Sequence, residues 1–127
     1  MLGSNKTIAF VPSRDLQRAR EFYEGVLGLR FVGNDGFAAV FVAGERTVRV
    51  VDVSRMAGFA PQPFTVLGWE VADVSTVAGA LRERGVTFER YPGMEQDEAG
   101  VWESPNGSNV AWFKDPDGNL LSLSTAS

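Results

Sequence analysis

With no histidine and no cysteine, this chain must do any chemistry with 16 carboxylates, 12 lysines and arginines, its hydroxyls and three tryptophans. Disulfides, thiolate or imidazole metal sites and a cysteine nucleophile are therefore excluded, as is the commonest general base. What remains is proton transfer by carboxylates, recognition of anions by guanidinium or ammonium groups, and aromatic walls for planar molecules. One carboxylate cluster stands out, Glu95, Asp97 and Glu98. It reads as a solvated loop in preference to a binding lid. Trp102 and Trp112 have two readings, core tryptophans or the walls of a concave site, whereas Trp69 reads as core beneath a helix.

The elements that must position these groups belong to a chain of 127 residues, 44% apolar and 22% charged, which describes one globular domain or two small packed modules. The net charge of −4 is unevenly spread. Residues 1–63 carry eight basic and six acidic groups, and residues 64–127 carry four and ten. Neither half has the basic surface of a nucleic-acid binder. No apolar run nears the roughly 20 residues of a membrane span, and Met1 to Lys6 lacks the apolar core of a signal peptide. A cytoplasmic protein with no membrane or nucleic-acid partner is the expectation.

Along the chain, Thr7 to Val11 is β-branched and aromatic enough for a buried strand, ended by Pro12-Ser13-Arg14. Asp15 reads as a helix N-cap. Leu16, Ala19, Phe22, Tyr23 and Val26 then recur at helical spacing, and Gly28 stops the helix. Arg30 to Val32, Phe37 to Val42 and Thr47 to Val53 read as a three-stranded meander, and residues 54–63 as a linker. The pattern then recurs: Val66 to Val71 is a strand, Asp73 an N-cap, and Val74, Val77, Ala78 and Leu81 a buried helical stripe. Gly85 ends that helix before a strand at Val86 to Glu89. Asp15 and Asp73 lie 58 positions apart, and Gly28 and Gly85 lie 57 apart, so a βαβββ module occurs twice. Module one spans about residues 7–53 and module two about 64–124, with an insertion at Tyr91 to Gly100 in the second. The chain closes on a hairpin, in which Asp115-Pro116-Asp117-Gly118-Asn119 reverses a strand through Trp112 and Phe113 into Leu120 to Leu123.

Four stretches together, Asp15-Leu16, Glu21-Phe22-Tyr23, Val26 to Leu29 and Phe113 to Asn119, resemble the signatures of the vicinal oxygen chelate superfamily. That superfamily includes glyoxalase I, bleomycin-resistance proteins, fosfomycin-modifying enzymes and extradiol dioxygenases. The resemblance covers about Thr7 to Leu123. It implies an α+β fold of two βαβββ modules forming a curled mixed sheet around a cavity, with helices on the outer face. In the enzymes of the family that cavity holds a divalent metal. Carried over, the ligand positions fall on Ile8, with Thr7 if the register slips by one, and on Arg49, Val66 and Ser122. Two hydrocarbons, a cation and a hydroxyl make no site for a divalent ion, so neither a metal nor any other cofactor is expected.

Residues sharing a strand face with those positions then point inward: Ile8, Phe10, Arg49, Val51, Gly68, Glu70, Leu120, Ser122 and Ser124. Arg49 and Glu70 are either solvated residues, a mutual ion pair of little weight, or a working pair. As a working pair, Arg49 would offer its guanidinium to a ligand carboxylate or enolate. The candidate ligand-binding residues are thus Phe10, Arg49, Glu70, Trp102, Trp112 and Ser122, with no metal ligands. One function that fits is a metal-free binding protein similar to bleomycin-resistance proteins, holding a planar apolar molecule with one acidic or carbonyl group. Another is a metal-independent isomerase or lyase, with Glu70 as general base and Arg49 as oxyanion stabiliser. A scaffold without activity is the third. Uncovered sheet edges favour a homodimer.

Overall fold

The structure, a computed structural model, describes residues 1–126. Within them the chain divides into two compact units, Met1–Ala60 and a second that opens at Pro61. Each is an α+β module with its own four-stranded mixed sheet.

In the first unit β1 (Ile8–Ser13) leads into α1 (Leu16–Arg20), whose winding loosens into a π-helical stretch at Glu21–Val26. Asp15 starts the helix as its composition demands, its carboxylate accepting the Arg18 N–H at 3.1 Å. Gly28, at φ +78, ends it in a left-handed conformation that a side chain would resist. Strands β2 (Arg30–Asn34), β3 (Ala38–Ala43) and β4 (Arg46–Asp52) follow, in the spatial order β1-β4-β3-β2 with β1 and β4 parallel. Strand β1 runs two residues further than the expected last residue, Val11, through Pro12 to Ser13. Proline is tolerated there because β1 is an edge strand, with β4 as its one neighbour. Ala19 and Tyr23 of the helix are buried with Val11, Phe41, Val48 and Val50 of the sheet. Tyr23 and Phe41 meet with ring centres 5.8 Å apart. The opposite sheet face, which carries Ile8, Phe10, Thr47, Arg49 and Val51, stays at least partly open.

The second unit repeats this plan with β5 (Thr65–Glu70), α2 (Val74–Glu83), β7 (Asn109–Lys114) and β8 (Leu120–Ser124), plus a two-residue strand β6 (Trp102–Glu103). Their order is β5-β8-β7-β6, and β5 and β8 are parallel. Asp73 caps α2 through the Thr76 N–H at 3.1 Å. Val74, Ala78 and Leu81 are buried, three of the four residues of the expected stripe. The expected strand at Val86 to Glu89 contracts to a single bridge between Phe88 and Phe113, with the Glu89 N–H donating to the Trp112 carbonyl at 2.8 Å. The reason is competition for one edge. Trp102 and Glu103 pair with Val110 and Asn109 further along β7, so two short segments share the edge that a single strand was expected to fill.

The insertion is a braced loop. The Gln96 side chain donates to the carbonyls of Glu89 and Gly100, each at 2.9 Å, and accepts the Tyr91 N–H at 2.8 Å. The Asp97 carboxylate accepts the N–H groups of Ala99 and Val101, which spends it on the backbone, while Glu95 and Glu98 are exposed.

Candidate ligand-binding site

Strand register places the candidate residues. Phe10 pairs with Arg49 across β1 and β4, and Arg49 with Val40 across β3. In the second unit Gly68 pairs with Ser122 and Ser122 with Trp112. Phe10 and Gly68 are 58 positions apart, and Arg49 and Ser122 are 73 apart, so the two rows occupy equivalent places in the two modules.

In the first unit Phe10 is 60% exposed. Arg49 is already engaged: its guanidinium donates to the Asp35 carboxylate at 2.7 Å, from the turn between β2 and β3. That hydrogen bond, with those from the Phe37 and Ala38 N–H groups, holds Asp35 well below the usual carboxylate range, at about 2.

The second unit gathers Trp102, Trp112 and Ser122 on the sheet face away from α2. The indoles of Trp102 and Trp112 lie 6.0 Å apart, and Trp112 meets Tyr91 edge-on at 5.5 Å. All three rings are half-buried. Ser122 lies beside Trp112, and the missing side chain of Gly68 leaves it room. A Cβ on Gly68 would stand 2.8 Å from the Ser122 Oγ. Glu70 closes β5 opposite Ser124 and is exposed. Trp69 points to the other face, stacked on Phe113 with ring centres 6.4 Å apart.

Beyond Tyr91 the same face ends in a cleft of about 270 Å³. Leu120 and Gly118 form its floor, Pro61 and Pro63 overhang it, and Lys114, Glu89, Tyr91 and Gln62 supply its polar groups. Lys114 Nζ stands 3.6 Å from the Glu89 carboxylate, an ion pair too long to be a hydrogen bond. Burial, and secondarily the Glu89 charge, push the Tyr91 phenol up, so it is a neutral donor near pH 7. Period-two spacing from Trp112 would have placed Lys114 on this face. The part played by Tyr91 and the prolines depends on how the insertion and linker fold back, which no local pattern encodes.

A divalent metal, as the family's enzymes carry, is not served by the residues here. Ile8, Val66, Arg49 and Ser122 supply one neutral oxygen among them. Among the described residues no group of three acidic, histidine or cysteine side chains converges anywhere.

Comparison with known proteins agrees with this architecture. Solved structures with the same fold include a glyoxalase/bleomycin resistance protein/dioxygenase superfamily member from Sphaerobacter thermophilus. It is 23% identical, covers 99% of this chain and 100% of its own, and gives a TM-score of 0.74. A glyoxalase family protein from Enterococcus faecalis is 18% identical over 98% and 99% of the two chains, at 0.74. Lactoylglutathione lyase from Agrobacterium tumefaciens is 20% identical over 99% and 96%, at 0.72. No curated protein matches the chain. The family model described as Glyoxalase/Bleomycin resistance protein/Dioxygenase superfamily matches residues 7–123. With two βαβββ modules and a family match over nearly its whole length, the chain belongs to the glyoxalase/bleomycin resistance protein/dioxygenase superfamily.

Proposed function

We propose that this protein binds a planar, largely apolar small molecule carrying one acidic or carbonyl group, and does so without a divalent metal. The observation that carries this reading is the row Tyr91, Trp112 and Trp102. Trp112 meets Tyr91 on one side and Trp102 on the other, and the three rings, half-buried on a sheet face, offer edge and face contacts to a flat ligand. Few polar groups interrupt the row, which disfavours sugars and polyphosphates, whose many polar atoms would be left unsatisfied. In the first unit the exposed ring of Phe10 is a further apolar surface of the same kind. Proton transfer through Glu70 has weaker support, because Glu70 is exposed at the end of β5.

Screening planar aromatic acids and ketones by quenching of tryptophan fluorescence tests the reading. A saturable quench is expected from wild type, and Trp112→Ala is expected to weaken binding of the same compound about tenfold, the loss of one well-placed ring. Equal binding by both proteins would overturn it.

A further inference from the structure

The cleft beyond Tyr91 differs from the aromatic row in kind, since it joins an apolar floor and roof to an ammonium group with no hydrogen-bond partner. None of the three Lys114 N–H groups is taken up by another described residue, and Glu89 lies at 3.6 Å. Arg49, by contrast, is hydrogen-bonded to Asp35 at 2.7 Å. Lys114 stands two residues beyond Trp112 on the same face of β7, a rise of about 7 Å. The Tyr91 ring bridges the gap, touching Trp112 while lining the cleft.

We propose that this cleft is the acid-recognising end of the ligand site. Lys114 and the Tyr91 hydroxyl hold the carboxylate of an arylalkanoic acid, a ring joined to a carboxylate through a short flexible chain, while the ring lies against Trp112. The proposal rests on the aromatic-row reading above and adds the class of ligand. The chemistry selects a monoanion. Lys114 supplies one positive charge and Glu89 stands beside it, so the cleft can match one negative charge but leaves the second charge of a phosphate dianion without a counter-charge. Proline lacks an N–H, so of the stretch that closes the cleft Gln62 alone adds donors, and Pro61 and Pro63 add none. Leu120, 7% exposed, gives the alkyl chain an apolar floor.

Titration calorimetry near pH 7.5 with 4-phenylbutanoate, 4-phenylbutanamide and 4-phenylbutylamine tests this. Wild type is expected to bind the acid roughly tenfold more tightly than the amide, the size of one hydrogen bond to a charged group. Lys114→Gln should erase that preference without changing affinity for the amide. Glu89→Gln should widen it, because the competing carboxylate is gone. A preference retained in Lys114→Gln, or an amine bound more tightly than the acid, overturns the assignment while leaving the aromatic-row reading intact. A preference lost in Arg49→Gln instead would move the acid end to Arg49 and equally overturn it. If none of the three compounds binds, and planar acids and ketones fail to quench the tryptophans, both readings fall together.

Discussion

Asp35 and Arg49 show how a residue singled out for its chemistry is restrained by a neighbour with none of its own. Asp35 is ionised wherever the protein is folded at ordinary pH, since its carboxyl titrates near 2. The sign follows from linkage. A carboxylate whose pKa is depressed by folding contributes stability above its unfolded value, and that contribution fades as pH falls toward about 2. Both groups sit at the surface, so the effect on stability is small and the titration itself is the better readout. Carboxyl resonances should give Asp35 a midpoint of about 2 in wild type, moving up toward the ordinary carboxylate value in Arg49→Gln. An unmoved midpoint would mean that the Phe37 and Ala38 N–H groups suffice. Much of the candidate site was legible at this scale, because strand alternation alone puts Trp112, Ser122 and Gly68 on one face. The Asp35 partnership was not, since the side chain of Arg49 crosses 14 positions of sequence to reach a turn.

At the scale of elements, the repeat was the most legible feature. The 58-residue offset between the helix caps reappears as the offset between Phe10 and Gly68 in strand register. Buried stripes, caps and stop glycines act locally, so they survive in a single sequence. The short edge strand β6 left no such trace, since two residues carry no periodicity. The insertion was legible as a loop, but what holds it was not. A single amide, that of Gln96, satisfies three backbone groups of residues 89, 91 and 100. Gln96→Ala should cost about 1–3 kcal/mol by leaving partly buried backbone groups unpaired. Amide exchange at Tyr91 and in the loop should speed up, with the α2 amides unchanged. Uniform exchange rates would show that the loop is held by Asp97 and by the Arg90 contact with the Glu98 carbonyl. Gly118 gives a second check on an element. At φ +89, with a Cβ that would stand 3.2 Å from the Pro61 ring, it ties the closing hairpin to the start of the second unit. Gly118→Ala should lower the melting temperature and loosen the Pro61 overhang of the cleft, measured by weaker binding of 4-phenylbutanoate. A full melting temperature and full affinity would count against that tie.

For the whole molecule, two properties follow from side chains spread over both units. Because the resemblance assigns the family's metal-ligand positions to Ile8, Arg49, Val66 and Ser122, which offer a single neutral oxygen among them, protein purified without chelator is expected to contain no stoichiometric zinc, nickel, iron or manganese. A metal at one equivalent that is lost to chelator would reverse this. The second property is self-association. The sheets end in edge strands with one strand neighbour each, β1 and β2 in the first unit and β5 in the second, while the outer side of β6 is bridged by Gln96. The first unit also exposes Ile8, Phe10, Val32 and Phe37, with Phe37 at 76%. Edges and apolar residues of this kind are commonly covered by pairing with another copy, and a symmetric dimer is the simplest closed arrangement. We therefore expect light scattering at micromolar concentration to give about twice the 13.8 kDa mass of the chain. Phe10→Asp should shift that mass toward the monomer if the face around β1 is part of the contact. A wild-type mass near 13.8 kDa would mean that these edges and rings are left to solvent or to the ligand, and the dimer would have to be given up.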